Sequence, residues 1–199
     1  MPSSRRGWTR GQRRILAMSA IALAACLVGV LGYEVEVSVR PARAASPTAE
    51  NQVQTGFVRI DRAAPAVNLP SLVGHGSVRL AKLAGKPIVI NFWSSTCAIC
   101  AQETRALVQV ARSTRGRVSF LGIDTLDMRA SATAFADRYR IPYQIGYDPT
   151  EAVGARYDLP GLPVTFFLST SGKRILGINI GALTARSLTA ILHKLYGHL

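Results

Sequence analysis

Residues 87–93 (PIVINFW) form a short, almost wholly apolar run that ends three residues short of Cys97-Ala98-Ile99-Cys100. A run of this length and composition reads as a buried central strand. Residues 97–112 follow with Leu107, Val110 and Ala111 at helical spacing, so the cysteine pair stands where a strand hands over to a helix. On a helix Cys97 and Cys100 lie three positions apart on nearly one face, within reach of a disulfide. Cys97 falls in the first turn, where unpaired N–H groups and the helix dipole favour a thiolate. That places its pKa below the free-thiol value of about 8.5 and makes it the attacking sulfur. Cys100, one turn deeper, is expected to be shielded and to resolve the mixed disulfide.

The alternation continues downstream. Residues 118–123 read as a strand, 130–139 as a helix, 143–147 as a short strand and 151–157 as one or two helical turns. Residues 164–168 read as another apolar strand and 174–180 as its hairpin partner across Ser171-Gly172-Lys173. An amphipathic helix over 184–196 closes the chain. A βα start with a terminal hairpin and helix predicts an α/β fold, a mixed sheet covered on both faces.

The 199 residues carry 24 Lys plus Arg against 11 Asp plus Glu, a net charge of +13. Five arginines and no acid occupy residues 1–14, and residues 15–32 contain no charged side chain. Eighteen such residues at about 1.5 Å rise just cross a hydrocarbon core of about 30 Å. The positive-inside rule keeps the flank cytoplasmic and exports everything beyond. The expected organisation is therefore a basic flank (1–14), a transmembrane signal-anchor (15–32), a flexible tether (33–61) with a short strand at 57–60, and one domain (62–199). Two other N-terminal fates export the same domain. Leu23-Ala24-Ala25-Cys26 matches a lipobox that would lipidate Cys26, and Ala42-Arg43-Ala44 matches a cleavage site. The domain beyond residue 64 holds 15 basic and 7 acidic residues. No aromatic–basic platform accompanies them, so no nucleic-acid partner is expected.

Three other uses of the cysteine pair are weighed. A disulfide across a three-residue span restrains the unfolded chain little, so stability alone is a weak reason for it. Zinc or copper needs further ligands, and His75, His193 and His198 are scattered; a metal-binding module or metallochaperone is the runner-up. A peroxiredoxin-type P-x-x-x-T-x-x-C pattern finds Ser94 at the threonine and Ile90 at the proline.

The segment Asn91-Phe92-Trp93-Ser94-Ser95-Thr96-Cys97-Ala98-Ile99-Cys100-Ala101-Gln102-Glu103 resembles the N-F-W-x-x-x-C-x-x-C-x-x-E signature of TlpA/ResA-type membrane-anchored thioredoxin-like proteins. Leu80 to Lys86 is similar to the family's L-x-x-L-x-G-K approach, and Gly161-Leu162-Pro163-Val164-Thr165-Phe166 to its G-x-P-x-T-F segment. The resemblance covers about residues 62–199. It implies a thioredoxin-like fold and an extracytoplasmic thiol–disulfide oxidoreductase with no cofactor beyond the Cys97–Cys100 disulfide. It implies that Pro163 is a cis-proline facing the cysteines and that the Leu162 backbone pairs with an extended substrate segment. It also implies that Glu103 serves proton transfer near Cys100; a surface acid favoured by the helix dipole is the other reading. Trp93 is carried over as a supporting substrate-side aromatic only, a core or rim position being the commoner place for such a residue. The implied partners are exported protein thiols or disulfides, apocytochrome c among them, and a membrane partner that recycles the pair. Ala98-Ile99 lacks the proline of many relatives, so the redox direction is not carried over.

Overall fold

The computed structural model describes residues 56–197. The basic flank, the uncharged run 15–32, Cys26, Ala44 and the tether up to residue 55 lie outside the described residues. No helix among the described residues is long and apolar enough to cross a membrane.

Eight strands and four α-helices follow in the order β1 (Gly56–Ala63), β2 (Asn68–Pro70), β3 (Ser77–Arg79), β4 (Ile88–Trp93), α1 (Ala98–Ser113), β5 (Ser119–Thr125), α2 (Arg129–Tyr139), β6 (Gln144–Asp148), α3 (Ala152–Arg156), β7 (Val164–Leu168), β8 (Arg174–Ile180) and α4 (Ala185–Tyr196). Six strands make one mixed sheet, β1-β8-β7-β4-β5-β6. The β4–β5 and β5–β6 pairs are parallel, while β4–β7, β7–β8 and β1–β8 are antiparallel. Every residue of β4 is buried, as a continuous apolar run at the centre of a two-sided sheet requires.

The two faces of β4 are covered differently. Ile88, Ile90 and Phe92 point into a cluster with Leu121, Ile123, Phe166 and Leu168, closed by Leu69, Val78, Leu80, Val153 and Tyr157. The β2–β3 hairpin, a 3-10 turn at Leu80–Leu83 and the five-residue α3 therefore cap that face. On the opposite face Val89 packs with Leu107 and Val110 of α1 and Leu188, Ile191 and Leu192 of α4. Trp93, on the same side, packs with Ala132, Phe135 and Ala136 of α2. Helices stand on both faces, as expected, but three of the four share one face.

Residues 56–61, assigned to the tether by sequence, belong to the sheet. The β1 strand pairs with β8 from Gly56 to Ala63, and Phe57 packs edge-on against Phe167, with ring centroids 5.7 Å apart. At the other end Thr184 caps α4: its side chain accepts the Ser187 N–H, and Ser187 reciprocates.

Candidate active site

The turn from β4 into α1 builds the site. Cys97 is the N-cap residue of α1, with φ −83° and ψ 105°, one position before the helix begins. Its Sγ accepts the Cys100 N–H at 3.1 Å, taking up one of the helix's unpaired donors. Cys97 and Cys100 are joined as a disulfide with their Cα atoms 5.2 Å apart. Cys97 is partly exposed, Ile99 is half-exposed and Cys100 is wholly buried. One cysteine thus reaches the surface and the other lies in the core.

Glu103 is buried, with 2% exposure, which excludes the surface-acid reading. Its Oε1 accepts from Asn91 Nδ2 and its Oε2 from the Leu183 N–H at 2.8 Å. Asn91 also donates to Thr165 Oγ1 at 3.1 Å, joining β4, α1 and β7 in one buried polar link. Burial raises the Glu103 pKa from 4.5 to about 7, against the lowering effect of the Leu183 and Asn91 hydrogen bonds. A carboxyl poised there takes or gives a proton near neutral pH.

Leu162–Pro163 is a cis peptide bond. Leu162 and Cys97 both pack, partly buried, against the cluster that contains Cys100 and Trp93, so the 161–163 turn lies beside the cysteines. Sheet pairing on β7 begins only at Val164. Trp93 does not stand on the substrate side. It is 2% exposed and stacked on Phe135 with ring centroids 4.6 Å apart, so it supports the cysteine turn from beneath. The sixth strand residue of β4 points into the α2 face, where only a core position is available.

Two acids near the site were not singled out from the sequence. Asp127 reaches back 32 residues to accept the Ser95 N–H at 2.6 Å and the Ser94 hydroxyl at 3.3 Å. Ser94 O in turn accepts the Cys97 N–H at 3.1 Å. Asp124, fully buried on β5, lies behind Asp127. An acid inside the apolar stretch 120–125 was the available signal for Asp124. Nothing local marks Asp127, because its partners are distant in sequence. Among the described residues no group of three or more His, Cys, Asp or Glu side chains is arranged to hold a metal ion.

Residues 60–173 match the model of the AhpC/TSA family. The chain belongs to that family. The thiol:disulfide interchange protein DsbE of Pseudomonas fluorescens is 33% identical over 54% of the chain, which spans 60% of that relative's length. The thiol-disulfide oxidoreductase ResA of Geobacillus kaustophilus is 24% identical over 92% of the chain and 97% of its own length. Among solved structures, a DsbF homologue from Corynebacterium diphtheriae superposes with a TM-score of 0.65 at 25% identity, covering 73% of this chain and 96% of that one. Within the AhpC/TSA family the chain is a thioredoxin-fold thiol–disulfide oxidoreductase of the DsbE/ResA type, and Cys97–Cys100 is its cysteine pair. It shares the family's fold without the P-x-x-x-T-x-x-C pattern, since the proline position is Ile90, a buried strand residue.

Proposed function

We propose that the domain exchanges disulfides with exported proteins outside the cytoplasm, and that Cys97 is the attacking and Cys100 the resolving sulfur. The observation that carries this reading is the unequal exposure of one disulfide at a helix N-cap. Cys97 is the partly exposed member of the pair, Cys100 is wholly buried, and Cys97 sits where backbone N–H groups stabilise a thiolate.

In the reducing direction the Cys97 thiolate attacks a substrate disulfide and a mixed disulfide forms as the first substrate sulfur leaves as thiolate. Cys100 then loses its proton and attacks Cys97 Sγ, releasing the second substrate sulfur and closing the Cys97–Cys100 disulfide. Two electrons pass from the pair to the substrate, and a dithiol partner must return them. Glu103, one helical step from Cys100, is the base for that second step, with its pKa near the working pH.

An apolar rim supports a polypeptide substrate. Ile99 is 50% exposed, Leu126 59% and Met128 72%, and the Asp127–Ser95 bond draws the 126–128 loop up to the cysteine turn. Extended segments with apolar side chains around their cysteines fit this surface, with the Leu162 backbone as their pairing edge beside Pro163. Apocytochrome c, whose C-x-x-C-H haem site must be reduced before attachment, is one such substrate. The uncharged run 15–32 behind an arginine flank supports a membrane-anchored domain facing away from the cytoplasm.

The test is alkylation of the reduced chain with iodoacetamide at neutral pH, mapped by mass spectrometry. Cys97 should be modified faster than a free thiol and Cys100 hardly at all. Equal modification of the two, or a Cys97 no faster than a free thiol, contradicts the assignment.

A further inference from the structure

Asp124 is a fully buried carboxyl near the site that the exchange steps do not use. It lies on β5 in register with Trp93 of β4 and Tyr147 of β6, and it has no solvent exposure. Among the described residues neither of its oxygens accepts an N–H or O–H. Its neighbour Asp148, equally buried, accepts the Val153 and Gly154 N–H groups at 2.9 and 3.0 Å. A buried carboxylate without donors is strongly disfavoured and takes up a proton instead.

The groups that face Asp124 point the same way. Asp127 approaches from the loop, Asp148 from the end of β6, and Arg129 from the first turn of α2. The two acids oppose ionisation and the one base favours it. Arg129 is engaged elsewhere, donating to the Ser71 and Leu72 carbonyls at 2.9 Å and lying 4.2 Å from the Tyr147 ring centroid. Burial first, then Asp127, raises the Asp124 pKa to about 8. Partial burial pushes Asp127 up, but its contacts with Ser95, the Met128 N–H and Asp124 outweigh this and hold it below the usual carboxylate range. Two facing carboxylates cannot hydrogen-bond to each other, whereas one proton between them makes a bond and removes a charge.

We propose that Asp124 is a positioning residue for thiol–disulfide exchange: as a carboxylic acid it donates to Asp127, which fixes the 94–97 turn from which Cys97 attacks. The path is short. The proposed Asp124 proton is its first link; beyond it Asp127 holds the Ser95 N–H and the Ser94 hydroxyl, and Ser94 O holds the Cys97 N–H. Ionising Asp124 would break the first link and bury a second negative charge behind the turn. The inference rests on Cys97 being the attacking sulfur.

The experiment follows Cys97 alkylation by iodoacetamide in the reduced full chain, corrected for its thiolate fraction, in the wild type, Asp124→Asn and Asp124→Ala. Side-chain carboxyl carbon NMR reports the Asp124 proton in the wild type. Asparagine is uncharged at every pH and still donates to Asp127; alanine is equally uncharged but has no donor. We expect Asp124 to be protonated at about pH 7, and the alanine variant to lose about tenfold in rate, the equivalent of one pKa unit. The asparagine variant should match the wild type at about pH 7 and exceed it at about pH 9, where wild-type Asp124 has ionised. Should the alanine variant fail to fold, the asparagine profile still decides. The inference is overturned if Asp124 is ionised at neutral pH, or if the asparagine and wild-type profiles coincide throughout. A wild-type Cys97 no faster than a free thiol would overturn the underlying assignment instead, before Asp124 is at issue.

Discussion

The Glu103 carboxyl exchanges its solvent shell for two hydrogen bonds, from Asn91 and from the Leu183 N–H, and its pKa rises to about 7. Two measurable consequences follow at this one residue. Its folded pKa lies above its unfolded one, so its contribution to stability is complete below the unfolded value and is lost as pH rises through about 7. Denaturant midpoints should therefore fall between about pH 5 and pH 7 in the wild type, and Glu103→Gln should remove about half of that slope, the rest belonging to Asp124, whose pKa is raised as well. The same substitution should slow resolution of a Cys97 mixed disulfide by about 10²-fold, the usual loss for a positioned base, and leave the first attack nearly unchanged. Equal loss in both steps would mark Glu103 as structural only. Glutamine keeps a carbonyl oxygen for the Leu183 N–H, so the fold should survive the test.

At the level of elements, the turn between β4 and α1 and the 126–128 loop form one working unit, stapled by Asp127. Met128 and Leu126 are exposed because the loop turns outward, with Leu126 at φ 53°, a conformation seldom adopted by leucine. Met128→Ser together with Ile99→Ser should raise the KM for a disulfide-bonded polypeptide by about tenfold and leave exchange with a small disulfide unaffected. Reduced rates on both substrates would place the effect in the cysteine chemistry instead. Much of this architecture could be read from the chain. The apolar runs of β4 and β7, the β7–β8 turn and the amphipathic pattern of α4 carry periods long enough to recognise, and their observed limits differ from expectation by a residue or so. The β2–β3 hairpin escaped because each strand has three residues and a single inward side chain, Leu69 or Val78. The length of β1 escaped for another reason. Its alternation, partly buried at Phe57, Ile60 and Arg62, is interrupted by exposed Val58 and Arg59 and a shift of register between Arg59 and Arg62, and its Arg and Asp content made it look like tether. At the site, C-x-x-C and the glutamate three residues on were visible in sequence. Asp127 and Asp124 acquire their roles only when β5 is laid beside β4, and Trp93 loses its substrate role by the same packing.

Across the whole molecule the basic excess divides by place. Five of the arginines stand in residues 1–14, ahead of the uncharged run in the sequence, and three of the seven acids of the domain, Glu103, Asp124 and Asp148, are buried. The domain surface is consequently more basic than its composition suggests. Its two ion pairs among the described residues, Arg62–Asp158 and Arg174–Asp61, are exposed ties along the β1 edge and add little stability. Stability comes instead from the two apolar faces of the central sheet. That division leaves the N-cap of α1 as the place where covalent chemistry meets solvent. The central claim, that Cys97 attacks and Cys100 resolves, is tested most directly by trapping. The full chain carrying Cys100→Ala, presented with a disulfide-bonded C-x-x-C-H peptide, should accumulate a stable mixed disulfide whose protein end maps to Cys97. No covalent adduct, or one that maps to Cys26, would contradict it.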